Sequence, residues 1–282
     1  MPRRPRPTAA GQPRLLNVVE SPDDVWDAIE GGRLRDVAPP EAIDLRTGRP
    51  WYRVGDQEHT GSCIGWALAD SVMRWQLVDA GRLAKRQKLS VRFIWMASKE
   101  WQAQRLGRKN PTLTETLTEW QPSTFLEEAT TAAKDALEVA RHLGVVTEPM
   151  LRWTGHLNLG PEPEFWRRAA EFKLDAYYSV TAAGLDERLL RWRQWISQHG
   201  PLIIVVATDS SLLAGDKILR EFRPRQHRGL HACALVGYTT EHFILRNSWS
   251  KKWADRGYAL ASPAWLGGAV RESYGVLFPK PR

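Results

Sequence analysis

Apolar residues recur at helical spacing through the first half of this 282-residue chain and in β-type runs through the second, with Gly200-Pro201 marking the change. Positions 64, 67, 68, 72, 75 and 78, followed by Gly81, have the spacing of a buried amphipathic helix with a glycine stop. Ser90 caps a second helix in VRFIWMASKEWQAQRL, and the Ala-rich TFLEEATTAAKDALEVARHL, ended by Gly144, gives a third. LDERLLRWRQWISQ is a further helix, after which the β-rich run Leu202 to Ala207 follows the Gly-Pro break. HACALVGY and HFILRN read as strands, as do the shorter YALA and YGVLF. Helices first and strands later predict an α+β protein, a helical lobe packed on a β lobe.

Composition removes several alternatives. A hydrophobic content of 43% is enough to bury the core of one large domain or two closely packed lobes. The longest apolar run, Leu202 to Ala207, is too short to span a bilayer, and the basic start MPRRPRPTAAGQP lacks the apolar stretch of a secretory signal. Two cysteines, Cys63 and Cys233, exclude a disulfide framework and any Cys-rich metal centre, and a reducing, cytoplasmic setting is the simpler expectation. The net charge of +8 comes from basic residues scattered among acids, with no nucleic-acid-binding motif, so it reads as a solvated surface. Residues 1–38 form a separate arm: Pro- and Arg-rich to about residue 14, then a short helix, Ser21 to Glu30, with Ser21 as cap and Pro22 at its first position.

Chemistry concentrates at a few positions. HACALVGY and HFILRN lie so close in sequence that they predict an antiparallel hairpin, and a turn centred on Thr239 sets His231 directly opposite Asn247. An Asn carbonyl holding one ring N–H fixes the imidazole tautomer and leaves the other nitrogen to serve a nucleophile. Cys63 supplies that nucleophile at a helix N-terminus, where the dipole and a nearby imidazolium are expected to lower its thiol pKa. Gln57, six residues earlier, offers a side-chain amide that can join the Cys63 backbone N–H in holding an oxyanion. Taken singly, each is as consistent with a packing role; the joint order Gln, Cys, His, Asn points to thiol chemistry.

At these residues the chain resembles the papain-like cysteine peptidases, the C1 family, and in particular bacterial members without disulfides. PPEAIDLR is similar to the start of a mature enzyme, DQEHTGSCIGWA to the Gln and Cys block, GLHACALVGY to the His strand and FILRNSWSKKWADRGYALA to the Asn-Ser-Trp block. GPLIIVV and SYGVLFP resemble further strands of the family, so the likeness runs over residues 39 to 282. It implies a two-lobed fold with a helical lobe, about 60–180, carrying Cys63, and an antiparallel β lobe, about 181–282, carrying His231 and Asn247. It also implies an endopeptidase that needs neither metal nor organic cofactor and acts on protein or peptide substrates, with a regulatory partner protein as a further expectation. Trp249 is implied to shield the His231–Asn247 bond beside the substrate, and Val205 and Leu230 to line an apolar pocket for the second residue before the scissile bond.

The likeness has gaps. Ile64, with Trp66 two places on, stands where a Trp follows the nucleophile, and Thr60 replaces a half-cystine. The glycine pair that binds substrate backbone is missing; Pro122-Ser123-Thr124 lies in that region. The segment before residue 39 is too short for a long inhibitory prosegment, and its helix is expected either to pack on the β lobe as a strap or to act in the cleft. The same residues also suit an amidase or acyl transferase, or a catalytically silent module that binds a protein.

Overall fold

The computed structural model describes residues 16, 18–22, 34–47, 53–106, 130–153 and 163–279. The basic arm to residue 14, residues 23–30 of the expected first helix, and Pro122-Ser123-Thr124 lie outside them.

The strands in chain order are β1 (Val18–Val19), β2 (Ile43–Asp44), β3 (Thr131–Ala132), β4 (Ala176–Ser179), β5 (Leu202–Ala207), β6 (Ile218–Leu219), β7 (Leu230–Tyr238), β8 (Phe243–Arg246), β9 (Tyr258–Ala261) and β10 (Val270–Leu277). They join one sheet in the order β4-β10-β5-β7-β8-β9-β6, antiparallel except where β6 runs parallel to β9. β2 adds to the far end of β7, and β1 lies between β7 and β3. The sheet therefore draws in Ile43 and Ala176, both earlier in sequence than the strand-rich second half.

Three pieces, Cys63–Gly65, Trp66–Met73 and Arg74–Asp79, run on as one helix, α1, whose middle piece is π-helical. Such a stretch is rare and is frequent at functional sites. Among the described residues the remaining α-helices are α2 (Val91–Arg105), α3 (Ala133–His142), α4 (Pro163–Ala170), α5 (Leu185–His199), α6 (Ser210–Ala214) and α7 (Pro263–Ala269). α3 starts later than the Ala-rich pattern suggests, because Thr131 and Ala132 are extended and pair with β1. α4 has no counterpart in the sequence reading.

The continuous apolar run of β5 follows from burial on both faces. Ile203 and Val205 face one core, which they share with Ile64, Leu68 and Val72 of α1 and Leu137 of α3. Ile204 and Val206 face the other, with Trp192, Trp195 and Ile196 of α5 and Trp265 of α7. β7 alternates in the same way, Ala232, Ala234 and Val236 to the first core, Cys233 and Leu235 to the second.

Charges are buried where α1 meets β8. Asp70 Oδ1 lies 2.9 Å from Arg74 Nη1, and its Oδ2 lies 2.7 Å from Arg246 Nη2. Arg246 also donates to the Ser71 hydroxyl. Burial alone raises the Asp70 pKa, but Arg246 and Arg74 outweigh it and hold the carboxyl below its ordinary value. Asp70→Asn strands two buried guanidinium groups and is expected to cost about 3–5 kcal/mol at neutral pH. Because the folded pKa is depressed, this stabilisation is present above the unfolded carboxyl pKa of about 3.9 and is lost as pH falls through the lower folded value. Urea unfolding should thus show a wide gap between wild type and Asp70→Asn at about pH 7 that narrows below about pH 3, whereas an equal gap at both would contradict the assignment.

Candidate active site

Cys63 opens α1, where the first N–H groups have no helical acceptors. The backbone N–H groups of Ala232, Ile64 and Cys63 itself are near enough to its sulfur to favour the thiolate. Ala232 belongs to β7 and directly follows His231, so the thiol lies near that part of the strand. Burial nevertheless governs its titration: the side chain is 0% exposed, and desolvation pushes the thiol up to about 11 against the pull of those N–H groups and the Lys99 ammonium. The expected lowering of this pKa is therefore not met, because the helix terminus acts in a site closed to water.

His231 Nε2 lies 2.7 Å from Asn247 Oδ1. An amide oxygen only accepts, so Nε2 carries the proton and Nδ1 is the basic nitrogen of the neutral ring. The Ser248 N–H also donates to Oδ1, at 2.7 Å. Trp249 covers the imidazole, with ring centroids 4.5 Å apart and planes 32° from parallel.

The hairpin reaches this geometry by a different register from the one expected. Ala234 pairs with Arg246 and Leu235 with Leu245, which centres the turn on Thr240. Asn247 therefore extends β8 opposite Cys233, whose S–H approaches Oδ1 at 3.8 Å, and meets His231 along the diagonal of the same face. His242 belongs to the turn, accepting the Thr239 N–H at 2.7 Å, and the ladder is irregular between Leu235 and Tyr238. Gly237 takes up that irregularity at φ +155.

Gln57 is buried against the segment that follows Asn247. Its Oε1 accepts from Ser248 Oγ at 2.7 Å and from Trp249 Nε1 at 3.1 Å, while its Nε2 donates to the Thr60 carbonyl at 2.8 Å. Backbone pairing adds Gln57 N–H to Ser248 O at 2.8 Å. Fixing Oε1 orients the amide, and Nε2 has a second N–H beyond the one given to Thr60. Ser248 is thus a functional neighbour that the sequence reading passed over, signalled only by its place beside Asn247. Trp66 packs on the same loop: a Cβ at Gly55 would fall 1.9 Å from its ring, so only glycine allows this approach.

The expected substrate-contact residues fare differently. Val205 is buried in the same core as Val18, and Leu230 is half-buried and pairs with Val18. Trp249 is 1% exposed, with its indole N–H on Gln57, so it walls the His231–Asn247 pair and presents no open surface to a substrate. The N-terminal segment spans both lobes: Val18 pairs with Thr131 of β3 in parallel and with Leu230 of β7 in antiparallel fashion. The described residues of the segment thus contact both lobes, while residues 23–30 of the helix expected to form a strap lie outside the described residues. Ser21 ties the segment further, its Oγ accepting from Lys134 N–H at 3.1 Å and its N–H donating to Glu272 Oε1 at 2.8 Å. The edge facing β7 across the cleft is thus Thr131–Ala132, where a glycine pair was sought earlier in the chain.

Among the described residues no cluster of His, Cys, Asp or Glu is arranged to hold a metal ion.

Residues 130–264 match the sequence profile of the papain family cysteine proteases. No curated protein matches the chain by sequence. Among solved structures, xylellain, a cysteine protease from Xylella fastidiosa, superposes with a TM-score of 0.67 at 18% identity, covering 97% of this chain and 100% of its own. Digestive procathepsin L 3 of Tenebrio molitor gives 0.61 at 15%, covering 86% and 71%. The Carica candamarcensis cysteine protease CMS1MS2, solved with E-64, gives 0.59 at 17%, covering 86% and 100%. The fold is thus that of the papain-like cysteine proteases, and residues 130–264 carry that family's sequence pattern.

The raised thiol pKa makes a direct prediction. Iodoacetamide should alkylate Cys63 of the full-length protein slowly at about pH 6, and the rate should still be climbing at about pH 9. A rate that levels off below about pH 7 would show a thiolate already formed in the resting protein.

Proposed function

We propose that the protein hydrolyses peptide bonds through Cys63, His231, Asn247 and Gln57. The observation that carries this reading is the 2.7 Å bond from His231 Nε2 to Asn247 Oδ1, with the next residue of β7, Ala232, near enough for its N–H to favour a Cys63 thiolate. As substrate binds, His231 Nδ1 takes the thiol proton and Cys63 Sγ bonds to the scissile carbonyl carbon. The second Nε2 N–H of Gln57 and the Cys63 backbone N–H receive the resulting oxyanion. The imidazolium returns its proton to the leaving amine, and a thioester remains. Water, deprotonated by the same nitrogen, then releases the acid and restores the thiol.

The groove favours an extended peptide over a small amide as the acyl donor. Val18–Val19 already runs there as a strand with backbone partners on both sides, as a peptide adding to two exposed edges would. Substrate and segment compete for the same edges, so turnover requires the segment to leave. Val205 and Leu230 then become accessible to the second residue before the scissile bond.

Steady-state kinetics on a quenched fluorescent peptide test the roles. Cys63→Ala and His231→Ala should abolish turnover, while Asn247→Ala should leave a weaker enzyme, since the Asn orients the ring without exchanging a proton. Gln57→Ala should lower kcat by roughly ten- to a thousandfold, and an unchanged kcat would remove its oxyanion role. Val18→Glu, which makes burial of the segment unfavourable, should raise kcat/KM by about tenfold. No change in Val18→Glu would show that the segment does not obstruct the groove.

A further inference from the structure

Between β6 and β7 the chain reads REFRPRQHR, residues 220–228, with four arginines against one glutamate. Phe222 is half-buried and every other side chain of the stretch is exposed. The backbone beneath them is pinned. The Arg223 N–H donates to Oδ2 of the buried Asp209 at 3.1 Å, the Gln226 N–H to the Arg223 carbonyl at 2.9 Å and the Arg228 N–H to the Thr208 carbonyl at 3.2 Å. Gln226 also receives the Ser210 hydroxyl. Phe222 anchors the loop: a Cβ at Gly268 would fall 2.8 Å from its Cβ, and the Arg271 guanidinium lies 5.8 Å over its ring. Arg271 is itself exposed and adds a fifth cation to this face.

No carboxylate answers these charges. Among the described residues Arg220, Arg225 and Arg228 make no side-chain hydrogen bond or ion pair, while Arg223 reaches the Ser210 hydroxyl at 3.4 Å and Arg271 the Gly268 carbonyl at 2.7 Å. Like charges so close repel one another, which a ligand of opposite sign relieves. The loop also lies where a chain enters the groove: a Cβ at Gly229 would fall 3.1 Å from Leu16, two residues before Val18, and Leu230 pairs with Val18. The arm that leads to Leu16 contains Arg3, Arg4, Arg6 and Arg14 and no acid, so the chain's own N-terminus has the wrong sign to cover the loop.

We propose that the 220–228 loop, with Arg271, is a docking site for an acidic segment of another protein. A polypeptide suits the place because the adjoining edges of β3 and β7 already hold an extended backbone. The loop exposes no Phe, Tyr or Trp ring on which a nucleic-acid base could stack. Each exposed pair is weak alone, so recognition comes from several carboxylates engaged at once on a backbone that is already fixed, and it fades as salt screens them. Such docking does not depend on turnover at Cys63.

Fluorescence anisotropy of a labelled octaglutamate peptide, titrated with the full-length protein, tests this. At about 50 mM salt the peptide should bind, and Arg220→Gln, Arg225→Gln and Arg228→Gln together should weaken binding by about tenfold or more. Lys85, Arg86 and Lys88, exposed between α1 and α2, supply a variant of equal charge: Lys85→Gln, Arg86→Gln and Lys88→Gln together should leave the affinity within about twofold. Changing the three loop arginines to Lys should keep it within about threefold, whereas a loss as large as with Gln would overturn the inference as an effect of folding. Octaglutamate that does not bind, or that loses as much affinity in the 85, 86 and 88 variant, would overturn it as attraction to net charge alone. An oligothymidylate of equal charge that binds more tightly than octaglutamate, and loses that affinity in the loop Gln variant, would overturn it in favour of a nucleic-acid surface.

Discussion

The buried pairing of Asp70 with Arg246 fixes the helix that begins at Cys63 to the strand that leads into Asn247. Asp70 lies on α1, seven residues beyond Cys63, and Arg246 immediately precedes Asn247. Two buried charges without each other would cost several kcal/mol apiece, so α1 cannot slide along β8 without a large penalty. Arg74 and Ser71 add contacts on the α1 side, which makes the seam a small network. Successive residues of a strand point to opposite faces, so the same strand that turns Arg246 toward α1 turns Asn247 toward His231, Cys233 and Trp249.

Around that seam the site is assembled but shut. The thiol is wholly enclosed and protonated at neutral pH, its pKa raised by burial to about 11. Gln57 is held by Ser248, Trp249 and Thr60, so the amide is oriented before any substrate arrives. The chain's own Val18–Val19 occupies the groove with a strand on either side. On the proposed reading, such an arrangement separates preorganisation from activation: the polar groups are in place, and what remains is to exchange a short strand held by two edges for a substrate strand held by the same two.

Much of this was legible in the sequence, and for identifiable reasons. Helical spacing beyond Ile64, the Gly200-Pro201 break and the continuous run of β5 each reflect one local cause, and each element formed. Cys63 at a helix start and His231 beside Asn247 follow from chain-local patterns with strong periodicity. The exact hairpin register did not follow, since the place of His242 in the turn and the irregularity at Gly237 depend on how β2 and β8 pack on β7. The charge state of Cys63 was misjudged because desolvation is a property of the closed lobes and cannot be read from a helix N-terminus. The course of residues 16–22 was hidden for a similar reason: only two residues form strand β1, and their partners lie more than a hundred residues away.

The central claim is that Cys63 forms a covalent bond with the acyl half of a substrate. Full-length protein mixed with an activated peptide ester, quenched in acid within milliseconds to seconds and digested for mass spectrometry, reads that bond directly. The account predicts an acyl adduct on the Cys63 peptide that disappears with time in wild type and never forms in Cys63→Ala. An adduct on Cys233, or ester hydrolysis that persists in Cys63→Ala, would contradict it.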